Sequence, residues 1–152
     1  MSRSRIDRIA KNVRAWADEL AEQCYPGVSR DLETLCAVAS GELLKRLRRA
    51  NFKPVIVFND QHAFVVCNGH IVDVTATQYN YRRGRDGEPL FEPVVIVPYS
   101  RRKELEQWSL PVEFRAKTIR EALKFQREVG WPEDQWVLTK RPPPSDFNLD
   151  DL

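Results

Sequence analysis

The Asn68-Gly69 pair, which lies between two alternating apolar runs, is the feature that most constrains how this chain can fold. A two-residue type I′ turn needs a positive φ at both central residues, and Asn-Gly adopts that conformation readily. The pair therefore predicts an antiparallel hairpin in which Cys67 lies opposite His70 and the pairing continues outward from there.

The register of this hairpin decides which side chains share a face. Because side chains alternate faces along a strand, His62 and Asp73 are expected on the same face as a diagonal pair, with backbones about 7 Å apart. Cys67 and His70 fall on the opposite face. A three-residue turn would shift the register by one and move Asp73 behind the sheet. The prediction that an imidazole lies beside a carboxylate thus depends on the Asn-Gly turn.

Helical and strand patterns surround the hairpin. Apolar residues spaced three and four positions apart predict an N-terminal helix over residues 6–20, a second helix over 29–50, and C-terminal helices over 100–108 and 113–130. Four β-branched and aromatic runs predict strands, at residues 54–59, 62–67, 70–76 and 92–99. The expected fold class is α+β, in which the second helix packs on an antiparallel sheet of about four strands, flanked by N- and C-terminal helices.

The length of 152 residues is that of one domain, which we assign to residues 1–136. Residues 137–152 combine three consecutive prolines with acidic side chains, a composition typical of an extended or disordered tail. Three cysteines without a CxxC pair favour neither a disulfide framework nor a cysteine-rich zinc site. Any special cysteine is therefore expected to be a free thiol.

Charge and hydropathy restrict the partners. With 24 Lys and Arg against 22 Asp and Glu, the net charge of +2 gives no general attraction to nucleic acid or to an anionic membrane. The N-terminal residues lack the apolar core of a signal peptide, and no stretch approaches the roughly 18 apolar residues of a membrane span. We therefore expect a protein that is cytoplasmic at synthesis and has no membrane partner. Secretion by a signal-independent route would leave no mark in the sequence.

Cys36 is the candidate nucleophile for a site that contains His62 and Asp73. A cysteine early in a helix lies near the positive end of the helix dipole, which favours thiolate over thiol. Small residues at positions 37, 39, 40 and 41 would let a sheet approach this end of the helix closely. Singly, each residue has an ordinary structural explanation: a buried thiol, a core histidine and a carboxylate at a strand end. Their combination favours a catalytic site.

A cysteine early in a helix, followed by "QHAFVV" and "IVDVTATQY", resembles the transglutaminase-like branch of the papain-like cysteine enzymes. In that superfamily the order is Cys on a helix, His on a strand and Asp on the next strand, and this chain presents Cys36, His62 and Asp73 in that order. The resemblance covers roughly residues 31–80. The His-Ala-aromatic-Val strand is also similar to that of the leader-peptide proteases that process lasso peptides, although the aromatic residue, often Trp, is Phe64 here.

The resemblance implies a papain-like core in which Cys36 is the nucleophile, His62 the general base and acid, and Asp73 the residue that orients the imidazole. It implies acyl transfer through a thioester on a protein or peptide substrate. The outcome would be proteolysis, deamidation, transamidation or acetyl transfer. We expect no cofactor and no metal ion in such a site.

The sequence indicates less clearly which residues would bind the substrate. The backbone N–H of Cys36 is the implied oxyanion donor, and the candidates for a second donor are the glutamines Gln23, Gln61 and Gln78. The loop over residues 79–91 follows Asp73 closely, and its arginines would favour an acidic substrate or protein partner. These are Arg82, Arg83 and Arg85.

Other interpretations stay open. A non-catalytic interaction module of the same fold could bind a partner through the arginine-rich loop and the acidic tail. His62, His70, Asp73 and a cysteine could in principle bind a metal ion, although the predicted faces separate the two histidines. Basic clusters along the chain suggest nucleic acid, but nearby acidic residues offset them, and we do not expect such a partner. Cys24 and Cys67 are interpreted as structural.

Overall fold

The computed structural model describes residues 2–24, 35–82 and 91–137, without the side chains of residues 2, 24 and 80–82. It confirms the predicted α+β class: helices pack on a five-stranded antiparallel sheet with the strand order β4-β3-β2-β1-β5. The helices are α1 (Ser2–Cys24), α2 (Cys36–Arg49), α3 (Glu106–Ser109) and α4 (Ile119–Val129). The strands are β1 (Val55–Asn59), β2 (Ala63–Cys67), β3 (His70–Asp73), β4 (Val95–Pro98) and β5 (Val112–Ala116). Over the described ranges, no helix is long and apolar enough to span a membrane.

The hairpin of β2 and β3 has the predicted turn and register. Asn68 and Gly69 both have positive φ, at 52° and 73°, as a type I′ turn requires. Cys67 pairs with His70, and Val65 pairs with Val72 two residues further out. The parity on which the His62 and Asp73 prediction depends is therefore confirmed.

The fifth strand, β5, corrects the sequence analysis. We expected residues 113–130 to be one helix, but residues up to Ala116 form β5 against β1, and α4 begins only at Ile119. The local sequence explains the error, because Val112, Phe114 and Ala116 alternate with charged residues at the period of a strand. The predicted helix over residues 100–108 is also different: it is a 3₁₀ segment, Tyr99–Glu104, followed by the single turn of α3.

Helix α2 contributes to two of the three hydrophobic clusters among the described residues. Its buried residues include Leu43 and Leu47 in the cluster with α1, and Leu44 in the cluster with β1 and α4. The Ser40 hydroxyl donates a hydrogen bond of 3.1 Å to the carbonyl of Ala63 at the start of β2. The small residues after Cys36 thus do allow a close approach to the sheet, at the position next to His62.

The last described residue, Val137, packs in the core. Val137, which we assigned to the tail, is only 6% exposed and belongs to the core cluster of α2, α4 and β1. A Cβ atom added to Gly41 of α2 would lie 2.8 Å from the Cβ atom of Val137, so glycine is required for this close packing. The remainder of the predicted tail, residues 138–152, lies outside the described part of the chain.

Candidate active site

His62 is positioned by the tight connection between β1 and β2. The carboxamide oxygen of the buried Asn59 accepts hydrogen bonds from the backbone N–H groups of Gln61 and His62, both at 2.9 Å. The Asn59 side-chain nitrogen donates to the carbonyl of Gln107 at 2.6 Å, which fixes the asparagine in turn. The hydrogen bonds of Asn59 therefore fix the backbone at His62 independently of the contacts of its imidazole.

Asp73 at the end of β3 is buried and accepts hydrogen bonds on both oxygens. Its Oδ2 lies 2.7 Å from His62 Nε2 and 2.8 Å from the donating indole nitrogen of Trp108. Its Oδ1 accepts from the backbone N–H of Thr75 at 2.8 Å and from the Thr75 hydroxyl at 3.3 Å. A carboxylate with this many donors is held in one orientation and keeps its negative charge although it is 1% exposed.

The second ring nitrogen of His62 faces Tyr79. Tyr79 Oη lies 3.1 Å from His62 Nδ1, and the two rings meet edge to face with centroids 5.2 Å apart. Phe64 stacks on the imidazole with a centroid distance of 5.7 Å. Phe64 therefore provides the aromatic packing expected two positions after the histidine, and the imidazole is confined on several sides.

His62 and Asp73 each stabilise the charged form of the other. Burial lowers the pKa of His62, but the charge and hydrogen bond of Asp73 outweigh burial and raise that pKa to about 10. The hydrogen bond and charge of Cys36 act on His62 in the same direction. Burial raises the pKa of Asp73, yet the charge and hydrogen bonds of His62, Trp108 and Thr75 hold it below its usual value. Both shifts favour the charged forms, an imidazolium beside a carboxylate.

Cys36 is the first residue of α2, and its hydrogen bond and charge contribute to raising the pKa of His62, which indicates that the thiol is close to the imidazole. It is 8% exposed and lines an open crevice of about 570 Å³ that is also bordered by Gln61, Gln78 and Tyr79. Asp73 binds His62 Nε2, so a proton exchanged with the sulfur must use Nδ1, the nitrogen that also lies 3.1 Å from Tyr79 Oη. Of the three residues, Cys36 lines the crevice, whereas His62 and Asp73 are buried and are not among its lining residues.

The three candidate oxyanion donors lie in different environments. Gln61 borders the crevice and accepts a hydrogen bond on its amide oxygen from Gln107, at 3.3 Å, which orients its NH₂ group as a donor. Gln78 also borders the crevice, but its NH₂ group donates to the carbonyl and hydroxyl of Thr75. Gln23 lies exposed at the end of α1, where it donates to Glu19, and it is not among the described crevice residues. Gln61 is therefore the best placed of the three.

The remaining residues of interest lie away from this arrangement. Cys67 is buried in the core cluster of α1 and α2, and burial raises the pKa of its thiol, which fits a structural role. His70 lies beside the turn, with Nδ1 2.9 Å from the carbonyl of Asn68. The side chains of Cys24 and Arg82 are outside the described residues, as are Arg83 and Arg85 entirely. No group of three or more metal-binding side chains occurs within residues 2–24, 35–82 and 91–137.

Three residues of the candidate site were not found by the sequence analysis. Trp108 contacts Asp73 from 35 positions away, and Tyr79 contacts His62 from 17 positions away. No periodic pattern indicates either contact. Asn59 follows an apolar strand directly, and an asparagine there is a signal for a side chain that bonds the turn backbone. That signal could have identified Asn59 as the residue that positions His62.

Comparisons with known proteins add no family to this geometry. No family model, no curated protein and no solved structure matches the chain.

Proposed function

We propose that this protein is a cysteine-dependent hydrolase or acyl transferase that acts on a protein or peptide through a thioester intermediate. The observation that carries the proposal is that the buried His62 imidazole interacts both with the Asp73 carboxylate, at 2.7 Å, and with the thiol of Cys36, which lines an open crevice. The proposal includes a transglutaminase-like arrangement in which a helix presents the cysteine to a sheet that presents the other two residues.

The imidazolium supports the first step. A positive His62 beside the Cys36 sulfur stabilises the thiolate, which is the nucleophilic form of cysteine. The thiolate attacks an amide or ester carbonyl that enters the crevice, and the sulfur–carbon bond of a tetrahedral intermediate forms. The N–H groups of the Cys36 backbone and of the Gln61 side chain are the proposed donors to its oxyanion.

Proton transfer then completes the reaction. The Nδ1–H of His62 protonates the departing amine or alkoxide as the tetrahedral intermediate collapses to a thioester. The neutral imidazole next accepts a proton from water or from an amine, which attacks the thioester and releases the free thiolate. Asp73 stays ionised throughout and holds Nε2, so that Nδ1, beside the Tyr79 hydroxyl, is the nitrogen that exchanges protons.

A carbonyl reagent tests this proposal without knowledge of the substrate. The protein is mixed with p-nitrophenyl acetate at pH 7, and the release of p-nitrophenolate is followed beside the intact mass of the protein. We expect a burst of about one equivalent and an acetyl group on Cys36, as a covalent intermediate requires. Cys36→Ala should abolish the burst, and Cys67→Ala, at a buried thiol away from the crevice, should leave it unchanged. Acetylation of Cys36 and Cys67 at similar rates would overturn the proposal.

The outcome of the reaction on proteins requires a second measurement. Candidate proteins are incubated with the wild type and with Cys36→Ala and compared by mass spectrometry. A backbone cut marks proteolysis, a mass gain of about 1 Da at glutamine marks deamidation, and a covalent link to an amine marks transamidation. Any of these must be absent with Cys36→Ala.

A further inference from the structure

A second concave surface, the basic groove, lies between α2 and α4 and has a volume of about 850 Å³. Its described lining contains six cationic side chains: Lys45, Arg48, Arg49, Arg120, Lys124 and Arg127. The other described lining residues are Thr118, Ile119 and Leu123, so no carboxylate is among them. Lys45 pairs with Glu42 at 3.0 Å, but Glu42 is not among the lining residues, so the lining itself carries an excess of positive charge that would attract an anionic occupant.

The floor of the basic groove is apolar. Ile119 and Leu123, one turn apart on α4, are half-buried and pack against the core cluster of α2, α4 and β1. A groove with cations at its rim and aliphatic side chains in its floor fits a polypeptide that mixes carboxylates with apolar side chains. The described lining has no aromatic side chain on which a nucleic acid base could stack.

The described chain ends beside this groove. The backbone N–H of Val137 donates to the Gln126 side chain on α4 at 2.8 Å, and Val137 packs on Gly41 of α2. The preceding residue, Trp136, lies under the guanidinium of Arg127 at 5.5 Å, and Arg127 lines the groove. Residues 138–152 therefore start between the two helices that form the basic groove.

The composition of that segment is complementary to the groove. Residues 145–152, SDFNLDDL, contain three aspartates, no lysine or arginine, and the apolar residues Phe147, Leu149 and Leu152. Residues 138–146 can span about 30 Å when extended. The stretch of α2 from Gly41 to Arg48 is about 10 Å long. The acidic residues can thus reach every part of the groove.

We propose that residues 145–152 bind in the basic groove of the same chain. The aspartates contact the guanidinium and ammonium groups of α2 and α4, and the apolar side chains cover Ile119 and Leu123. Covalent attachment gives the segment an effective concentration in the millimolar range, so modest contacts are sufficient. The proposal is independent of the chemistry at Cys36.

Zero-length cross-linking of the full chain tests this contact. A carbodiimide joins carboxylates to amines that touch, and tryptic mass spectrometry of the monomer fraction maps the products. At about 20 mM salt we expect amide links from Asp146, Asp150 or Asp151 to Lys124. Because salt screens charges at the surface, these links should fall several-fold at 1 M salt. Lys124→Arg should remove the links but keep the positive charge.

Two further variants and one control amine complete the test. Replacing the three aspartates with asparagine should abolish the links, and Arg120→Glu, at an exposed position, should reduce them several-fold. Lys103 is an exposed control beside β4, at the edge of the sheet opposite β5. Equal links to Lys103 and Lys124, links found only in covalent dimers, or no links at all would overturn the proposal.

Discussion

His62 Nε2 and Asp73 Oδ2 lie 2.7 Å apart, and neither side chain is exposed to solvent. The imidazolium of His62 and the carboxylate of Asp73 are buried together, and each charge offsets the cost of removing the other from water. The hydrogen bonds from Trp108 and Thr75 add to this stabilisation at Asp73. Changes at either member of the pair should therefore affect both the stability of the fold and the reactivity of Cys36.

Asp73→Asn should destabilise the fold by about 3 kcal/mol near pH 6, because it leaves a buried imidazolium without its counter-charge. The measurement is urea unfolding followed by circular dichroism. Asp60→Asn is the matched control, since Asp60 is an exposed carboxylate in the connection between β1 and β2, two residues before His62. Equal losses of stability in the two variants would show that Asp73 has no special electrostatic role.

The raised pKa of His62 makes stability depend on pH in the alkaline range. The folded pKa of about 10 lies above the unfolded value of 6.5, so the contribution is complete below pH 6.5 and is lost as the pH rises towards 10. The difference in unfolding free energy between wild type and His62→Gln should shrink by about 3 kcal/mol between pH 6.5 and pH 9. A difference that stays constant over this pH range would contradict the buried ion pair.

Trp108→Phe should remove a hydrogen-bond donor of Asp73 while it keeps an aromatic ring in the core. We expect a loss of about 1–3 kcal/mol in unfolding free energy and slower alkylation of Cys36. Trp136→Phe is the control, because its indole nitrogen donates to the carbonyl of Trp131 and not to Asp73. That variant should alkylate at the wild-type rate, and an equal slowing in both would contradict a specific role for Trp108.

Gly41→Ala should be destabilising, although alanine favours a helix by about 1 kcal/mol over glycine. Its Cβ would lie 2.8 Å from Val137 Cβ and 2.9 Å from the Val137 carbonyl oxygen, so Val137 must move out of its position between α2 and α4. We expect a net loss of about 1–3 kcal/mol, measured by thermal or urea unfolding. A gain in stability would show that Val137 packs less closely against Gly41 than in this structure.

Sequence reasoning located the centre of the candidate site because the relevant information is local. Asn68-Gly69 defines the turn, the turn defines the register, and the register brings His62 and Asp73 to one face. The rest depends on contacts between distant segments. Trp108 contacts Asp73 from 35 positions away, and no spacing in the sequence signals that contact.

Strand β5 was missed for a different reason. Residues 112–116 alternate apolar and charged side chains over only five positions, and the longer helical pattern of α4 begins three residues later. The two periods overlap at Phe114, which fits either one. What separates them is the pairing of β5 with β1, a tertiary contact between residues about 60 positions apart in sequence.

The central claim, that His62 activates the Cys36 sulfur, is tested most directly by the rate of iodoacetamide alkylation of Cys36 from pH 5 to pH 10. Each cysteine is followed by peptide mass spectrometry in wild type and in His62→Gln, with the buried Cys67 as the internal reference. We predict that wild-type Cys36 already reacts at pH 6, and that His62→Gln slows it there by about tenfold or more. Identical pH profiles of Cys36 in the two proteins would contradict the account.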